Sequence, residues 1–141
     1  MIIKKTYIGV YAIIIKNNKI ALIKKASGGY KGKLDLPGGG IEHTETVEEA
    51  LERELMEEAG VSILNKELYK VMDTNIKWEF DKDKYEDLHH IGIIYKVDIK
   101  ENNLKQIPDG LDSEGADWYH LDKLSLDNLS PFAKKVVTEI E

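Results

Sequence analysis

At 141 residues, with 42% hydrophobic and 33% charged residues, the chain has the composition of an ordinary soluble domain. A domain of this length buries roughly 68–70% of the surface its unfolded chain exposes. The absence of cysteine excludes disulfides, thiolate metal sites and thiol nucleophiles. The net charge of −6 is local: Glu42 to Glu58 hold eight glutamates and one arginine, which is −7, so the rest carries +1 and does not repel phosphates.

Lys4 and Lys5 followed by the apolar run Tyr7 to Ile15 imitate a signal peptide. The run is β-branched, stops at Lys16 and lacks a small-residue cleavage pattern, so a buried first strand is the better reading. No other stretch is long and apolar enough to span a bilayer, so no membrane partner and a cytoplasmic location are expected. Tyr7 to Lys16 and Lys19 to Lys25 read as strands joined by Asn17-Asn18, which tolerate left-handed backbone and suit a hairpin turn. Ser27 to Lys33 reads as a glycine-rich, lysine-bearing loop. Leu34-Asp35-Leu36 then leads into Pro37-Gly38-Gly39-Gly40, a stretch expected to be irregular.

Thr46 to Ala59 reads as a helix, with Thr46 and Glu49 spaced as a capping box and Gly60 as the stop. Ser62 to Asp73 and Leu88 to Ile99 read as strands separated by a charged loop, Thr74 to Asp87. Pro108-Asp109-Gly110 marks a turn, and Ala116 to His120 a short strand. Ser130-Pro131 opens a last helix as N-cap and first-turn proline, with Phe132, Val136, Val137 and Ile140 as its apolar stripe. No repeat or linker divides the chain, so one domain over residues 1–141 is expected. Strands, a central helix, more strands and a terminal helix predict an α/β fold, a mixed sheet covered on two faces.

Along the central helix, Val47, Ala50, Leu51, Leu55 and Ala59 form the core-facing arc. Glu54, Glu57 and Glu58 stand together at its edge, at spacings i, i+3 and i+4. A solvated helix face usually pairs glutamate with lysine one turn on, yet no lysine occurs from Glu42 to Glu58. Like charges at this spacing cost roughly 0.2–0.5 kcal/mol per pair, a cost that a hard divalent cation with oxygen ligands offsets. Gly38 to Gly40 let backbone groups approach a metal or phosphate closely, and Glu45 and Arg53 are candidates for an ion pair tying this loop to the helix.

Gly39, five residues, Glu45, seven residues, then Arg53-Glu54-Leu55-Met56-Glu57-Glu58-Ala59-Gly60-Val61 matches every fixed position of the Nudix box, G-x5-E-x7-R-E-U-x-E-E-x-G-U with U aliphatic. The chain thus resembles the Nudix hydrolase family, well over its first half and in outline over its second. The resemblance implies a Nudix fold, an α/β/α sandwich with a mixed sheet, and hydrolysis of a diphosphate linkage with Mg²⁺ or Mn²⁺. Carried over, Glu54, Glu57 and Glu58 resemble the metal-binding carboxylates, a Gly38 or Gly39 carbonyl a further ligand, and Arg53 with Glu45 the scaffold pair. Leu34 departs from the many members with an aromatic residue before the Pro-Gly-Gly turn, which weakens transfer of a base-stacking site.

The chemistry expected is water attack at phosphorus, with Lys25, Lys31 and Lys33 as candidate phosphate-binding residues around the glycine-rich loop. Some Nudix enzymes resemble one another in placing an acidic general base outside the box. Glu114 beside Gly115 is the candidate here, with Asp112 and Glu86 as rivals. An EF-hand reading of Asp81, Asp83 and Tyr85 fails because Glu86 occupies the required glycine and Gly92 the required glutamate. His89-His90 on a strand points its rings to opposite faces, and Trp78, Phe80, Tyr85 and Trp118 are more readily packing residues than base-stacking ones. The expected partner is a small-molecule nucleotide and not a nucleic-acid polymer, with 8-oxo-dGTP favoured by analogy among ADP-ribose, nucleotide sugars and dinucleoside polyphosphates. The sequence is compatible with a homodimer but does not require one. The rival function is a non-catalytic Nudix-fold nucleotide sensor, disfavoured because every box glutamate is present.

Overall fold

The computed structural model describes residues 1–108 and 113–140; Asp109 and Gly110 of the expected turn, and Asp112, lie outside the described residues. Strand β1 (Ile2–Ile13) starts five residues before the apolar run. Its whole length pairs in parallel with a later strand, from Ile2 opposite Tyr85 to Ile13 opposite Lys96, so the ladder satisfies the backbone even at the adjacent Lys4 and Lys5. Asn17 and Asn18, at φ 52° and 61°, make the left-handed turn between β2 (Ile15–Lys16) and β3 (Lys19–Lys25).

The Pro37 to Gly40 stretch is not irregular. After β4 (Leu34–Asp35), residues Gly38–Gly40 form strand β5, antiparallel to β1 with Gly38 opposite Tyr11 and Gly40 opposite Gly9. A run without side chains can lie flush against its neighbour: at Gly38, φ 142°, a Cβ would strike the Val10 carbonyl oxygen. Helix α1 (Val47–Ala59) then has the expected capping box at Thr46 and Glu49. It ends at Gly60, φ 67°, whose N–H donates to the Leu55 and Met56 carbonyls.

The expected loop from Thr74 to Asp87 is instead the far half of a long antiparallel hairpin, β6 (Ile63–Asp81) and β7 (Lys84–Ile99), turning at Lys82-Asp83. Met72, Thr74, Ile76 and Trp78 turn inward on β6 while Asp73, Asn75, Lys77 and Glu79 face out, a period-2 pattern that the charge density hides. Strand β8 (Ser113–His120) pairs with β3, and helix α2 (Pro131–Ile140) closes the described chain.

The first sheet runs β5-β1-β7-β6, mixed because only the β1–β7 pair is parallel; the second joins β2, β3, β4 and β8. Both β1 and β3 are buried on two sides, and their alternation feeds two cores. Val10, Ala12, Ile14, Ala21 and Ile23 pack with Leu51 and Leu55 of α1. Tyr11, Ile13, Ile20 and Leu22 pack with Phe132, Val136 and Val137 of α2. The two helices therefore cover opposite faces, an α/β/α sandwich, and each fully buried aliphatic side chain contributes roughly 1.5–3 kcal/mol. Among the described residues no helix is long and apolar enough to cross a membrane.

Candidate active site

Helix α1 lies beside β5, and the apolar arc that pins the helix also sets the position of its acidic edge. Glu58 is 3% exposed and accepts the Gly38 N–H at 2.7 Å. Burial pushes its carboxyl well above the ordinary glutamate range, opposed by that N–H and reinforced by the charge of Glu54. One turn earlier, the Glu54 carboxylate lies against the next strand residue: a Cβ on Gly39 would stand 2.8 Å from it. Burial raises the Glu54 carboxyl as well, with Arg53 pulling the other way.

Arg53 ties the strand end, the loop and the helix together. Its Nε and Nη2 donate to both Glu45 oxygens at 2.6 and 2.9 Å, a bidentate pair, while Nη2 also donates to the Gly40 carbonyl at 3.0 Å. Nη1 reaches Glu54 at 2.9 Å and Glu57 at 3.3 Å. The hydrogen bonds from Arg53 hold the Glu45 carboxyl below its usual range. Glu54, Glu57 and Glu58 with Gly38 to Gly40 line a cavity of about 400 Å³. Every donor there is a hard oxygen or a backbone group, the set that suits Mg²⁺ or Mn²⁺ rather than a soft metal. Among the described residues no three acidic or imidazole groups already stand at metal-binding separation, since Arg53 shares the Glu54 and Glu57 carboxylates.

A second cavity of about 260 Å³ adjoins the first, sharing Tyr7 and Gly39 with it. Its floor is the β1-β7-β6 face, with Lys5, Leu88 and His90, and the Ser27–Tyr30 part of the glycine-rich loop forms its opposite wall. His90 is buried between two tyrosines: Nε2 is 2.7 Å from the Tyr11 hydroxyl and Nδ1 is 3.0 Å from the Tyr30 hydroxyl. One ring nitrogen carries the proton and donates, the other accepts. Burial, and then the charge of Lys25, lower its pKa to about 4, so the ring is neutral at physiological pH. Asp35 is buried beside this chain, its Oδ1 accepting the Ser130 hydroxyl at 2.5 Å and the Leu36 N–H at 2.8 Å.

Of the lysines singled out from the sequence, Lys25 lines the second cavity, and its charge acts on Asp35, Glu54, Glu58 and His90. Lys31 and Lys33 line neither cavity, and the Lys33 ammonium donates to the Asp127 carbonyl at 2.6 Å. Glu114 also lines neither; it is half-exposed and 3.7 Å from Lys24. Its rival Glu86 lines the second cavity, together with Trp78. His90 and His89 do face opposite ways, the latter pairing with Asp73 at 2.8 Å in the open. The sequence reading missed Asp35, Tyr7, Tyr11 and Tyr30 as cavity residues; the one signal was an aspartate set between Leu34 and Leu36.

Buried carboxylates facing a glycine strand, with a lysine in the adjoining cavity, can hold a cation and a phosphate together. Comparison with known proteins bears on what such a site does. The NUDIX domain model matches residues 5–140. Over 121 residues the chain is 38% identical to the ADP-ribose pyrophosphatase of Methanocaldococcus jannaschii, covering 86% of this chain and 68% of that protein. It is 30% identical over 139 residues to the 8-oxo-dGTP diphosphatase of Escherichia coli, covering 98% of each. Among solved structures, the MutT NUDIX hydrolase from Burkholderia pseudomallei aligns with a TM-score of 0.73 at 26% identity, over 96% of this chain and 97% of that one. The match runs through both helices and both sheets as well as the acidic box, and the chain belongs to the NUDIX family as a Nudix hydrolase.

Proposed function

We propose that the chain hydrolyses a diphosphate linkage in a nucleotide or nucleoside-diphosphate derivative. A divalent cation, Mg²⁺ or Mn²⁺, would be held by Glu54, Glu57, Glu58 and a carbonyl of Gly38 or Gly39. The observation that carries this reading is the buried Glu58 carboxyl on the Gly38 N–H, with the half-buried Glu54 against Gly39: two acids on one helix edge facing a strand without side chains, with Arg53 as the cation that shares them. When bound, the cation supplies charge neutralisation of the diphosphate and lowers the pKa of the attacking water.

The chain's own residues do the rest. Lys25 offers its ammonium to phosphate oxygens from the second cavity. Arg53, engaged by Glu45 and Gly40, keeps strand β5 and the helix in register and acts as scaffold. The nucleoside end occupies the second cavity, where Tyr7 and Gly39 join it to the acidic one. Glu114 lies outside both cavities, which favours a box glutamate over it as the acceptor of the attacking water's proton. Relatives named for ADP-ribose and for 8-oxo-dGTP support a nucleoside diphosphate derivative as the substrate, and among these 8-oxo-dGTP is favoured because the relative named for it matches 98% of both chains.

Purified protein with Mg²⁺, given ADP-ribose, 8-oxo-dGTP and dGTP, should release a nucleoside monophosphate from at least one. Glu57→Gln should stay folded and lose at least about a hundredfold in kcat, whereas Glu114→Gln should stay within about threefold of wild type. Full activity in excess chelator sinks the metal reading, and a Glu114→Gln loss of about 10²–10⁴-fold restores Glu114 as the base.

A further inference from the structure

The second cavity carries a pattern at the end away from the acidic helix. On its floor the strand register sets three rows side by side: Tyr7, His90 and Thr74; then Lys5, Leu88 and Ile76; then Ile3, Glu86 and Trp78. The first row abuts the glycine strand, because a Cβ on Gly40 would stand 2.5 Å from the Tyr7 hydroxyl. The last row is four residues further along β7, about 13 Å at ~3.3 Å per residue. A nucleotide with its phosphates at Glu54 and Gly39 therefore presents its base to Glu86 and Trp78.

That end is built for a particular edge. Glu86 and Trp78 are cross-strand partners, and the Trp78 indole N–H donates to Glu86 Oε1 at 3.0 Å, which fixes the carboxylate beside an aromatic ring inside the cavity. An ionised carboxylate only accepts hydrogen bonds. It matches a flat group with two neighbouring N–H donors, and the diagonal Lys5 offers a donor to an adjacent carbonyl oxygen. A guanine-type edge has this order: a 2-amino group, N1–H, then the 6-oxo group. Adenine instead sets an amino donor beside a ring acceptor, which the carboxylate repels.

Resting on the nucleotide reading above, we infer that Glu86, oriented by Trp78, is the specificity-determining residue of this enzyme and selects a guanine-type base. Binding of GMP, IMP and AMP to wild-type protein, Glu86→Gln and Trp78→Phe, measured by calorimetry, tests this without any turnover. IMP lacks the 2-amino group, and AMP lacks the N1–H as well. Wild type should bind GMP several-fold tighter than IMP and about tenfold or more tighter than AMP. Glu86→Gln should bring GMP and AMP within about threefold, and Trp78→Phe, which keeps a ring but loses the indole N–H, should narrow the same ratio part-way. A GMP-to-AMP ratio unchanged in Glu86→Gln overturns the assignment. An equal loss for GMP and AMP, which leaves that ratio unchanged, marks a carboxylate bound to the ribose hydroxyls. If nucleotides bind with the expected order but none is hydrolysed with Mg²⁺, the specificity assignment stands and the catalytic reading falls.

Discussion

Gly38 and Gly39 are adjacent in one strand and needed for different reasons, which makes them separable. A Cβ on Gly38 would meet the Val10 backbone, which cannot move aside, and φ 142° disfavours any other residue. A Cβ on Gly39 would meet only the tip of the Glu54 side chain, which can swing away. Gly38→Ala should therefore cost about 1–3 kcal/mol in urea unfolding. Gly39→Ala should leave the melting temperature nearly unchanged but cut turnover at least tenfold by displacing Glu54. Equal melting losses in the two variants would refute the distinction. His90 makes a second residue-scale case. Its folded pKa of about 4 lies below the ordinary 6.5, so the unfolded chain binds the extra proton between those values. Its contribution to stability is complete above about pH 6.5 and is lost as pH falls toward 4. The buried carboxyls of Glu58 and Asp35, raised by burial, act in the opposite sense but are common to wild type and variant. Between pH 7 and pH 5 the wild type should lose roughly 1–2 kcal/mol more than His90→Gln in urea titrations; parallel pH curves would contradict this.

Helix α1 was legible almost residue by residue, because every signal that makes it lies within fifteen positions: the Thr46 cap, the apolar arc, the Gly60 stop and the acidic edge. The Arg53–Glu45 pair was legible for the same reason, both ends falling in one contiguous motif. Thr46→Ala should cost about 1 kcal/mol, a fall of about 3 °C in melting temperature, through loss of the hydroxyl that accepts the Glu49 N–H. A drop much beyond that would mean that Thr46 supports the site as well as the helix end. The hairpin was legible only in part. Inward Ile76 and Trp78 alternate with charged neighbours, and a strand wet on one side reads from composition as a loop. The second cavity was legible only in scattered pieces, Lys25, Glu86, Trp78 and the glycine-rich loop, and not as one site. Tyr11 and His90 are 79 residues apart in sequence, and Asp35 and Ser130 are 95 apart; only the pairing of β1 with β7 and the docking of α2 bring such residues together.

At the scale of the whole molecule, the two cores meet across β1, and the strand that floors the second cavity also anchors the glycine strand of the first. The sheet has one long outer strand. Among the described residues β6 leaves a row of backbone donors and acceptors without a neighbouring strand over much of nineteen residues, and Leu68 and Val71 on it are 56% and 59% exposed. Such an edge is a template for cross-β growth. Charged side chains at Lys66, Glu67, Lys70, Asp73, Lys77 and Glu79 punctuate it, so an incoming strand would have to desolvate several of them. They act as gatekeepers whose value shows only at high concentration. Replacing Lys70 and Asp73 together by valine should leave Glu54, Glu57 and Glu58 untouched, yet yield thioflavin-positive aggregates under conditions where the wild type remains dispersed.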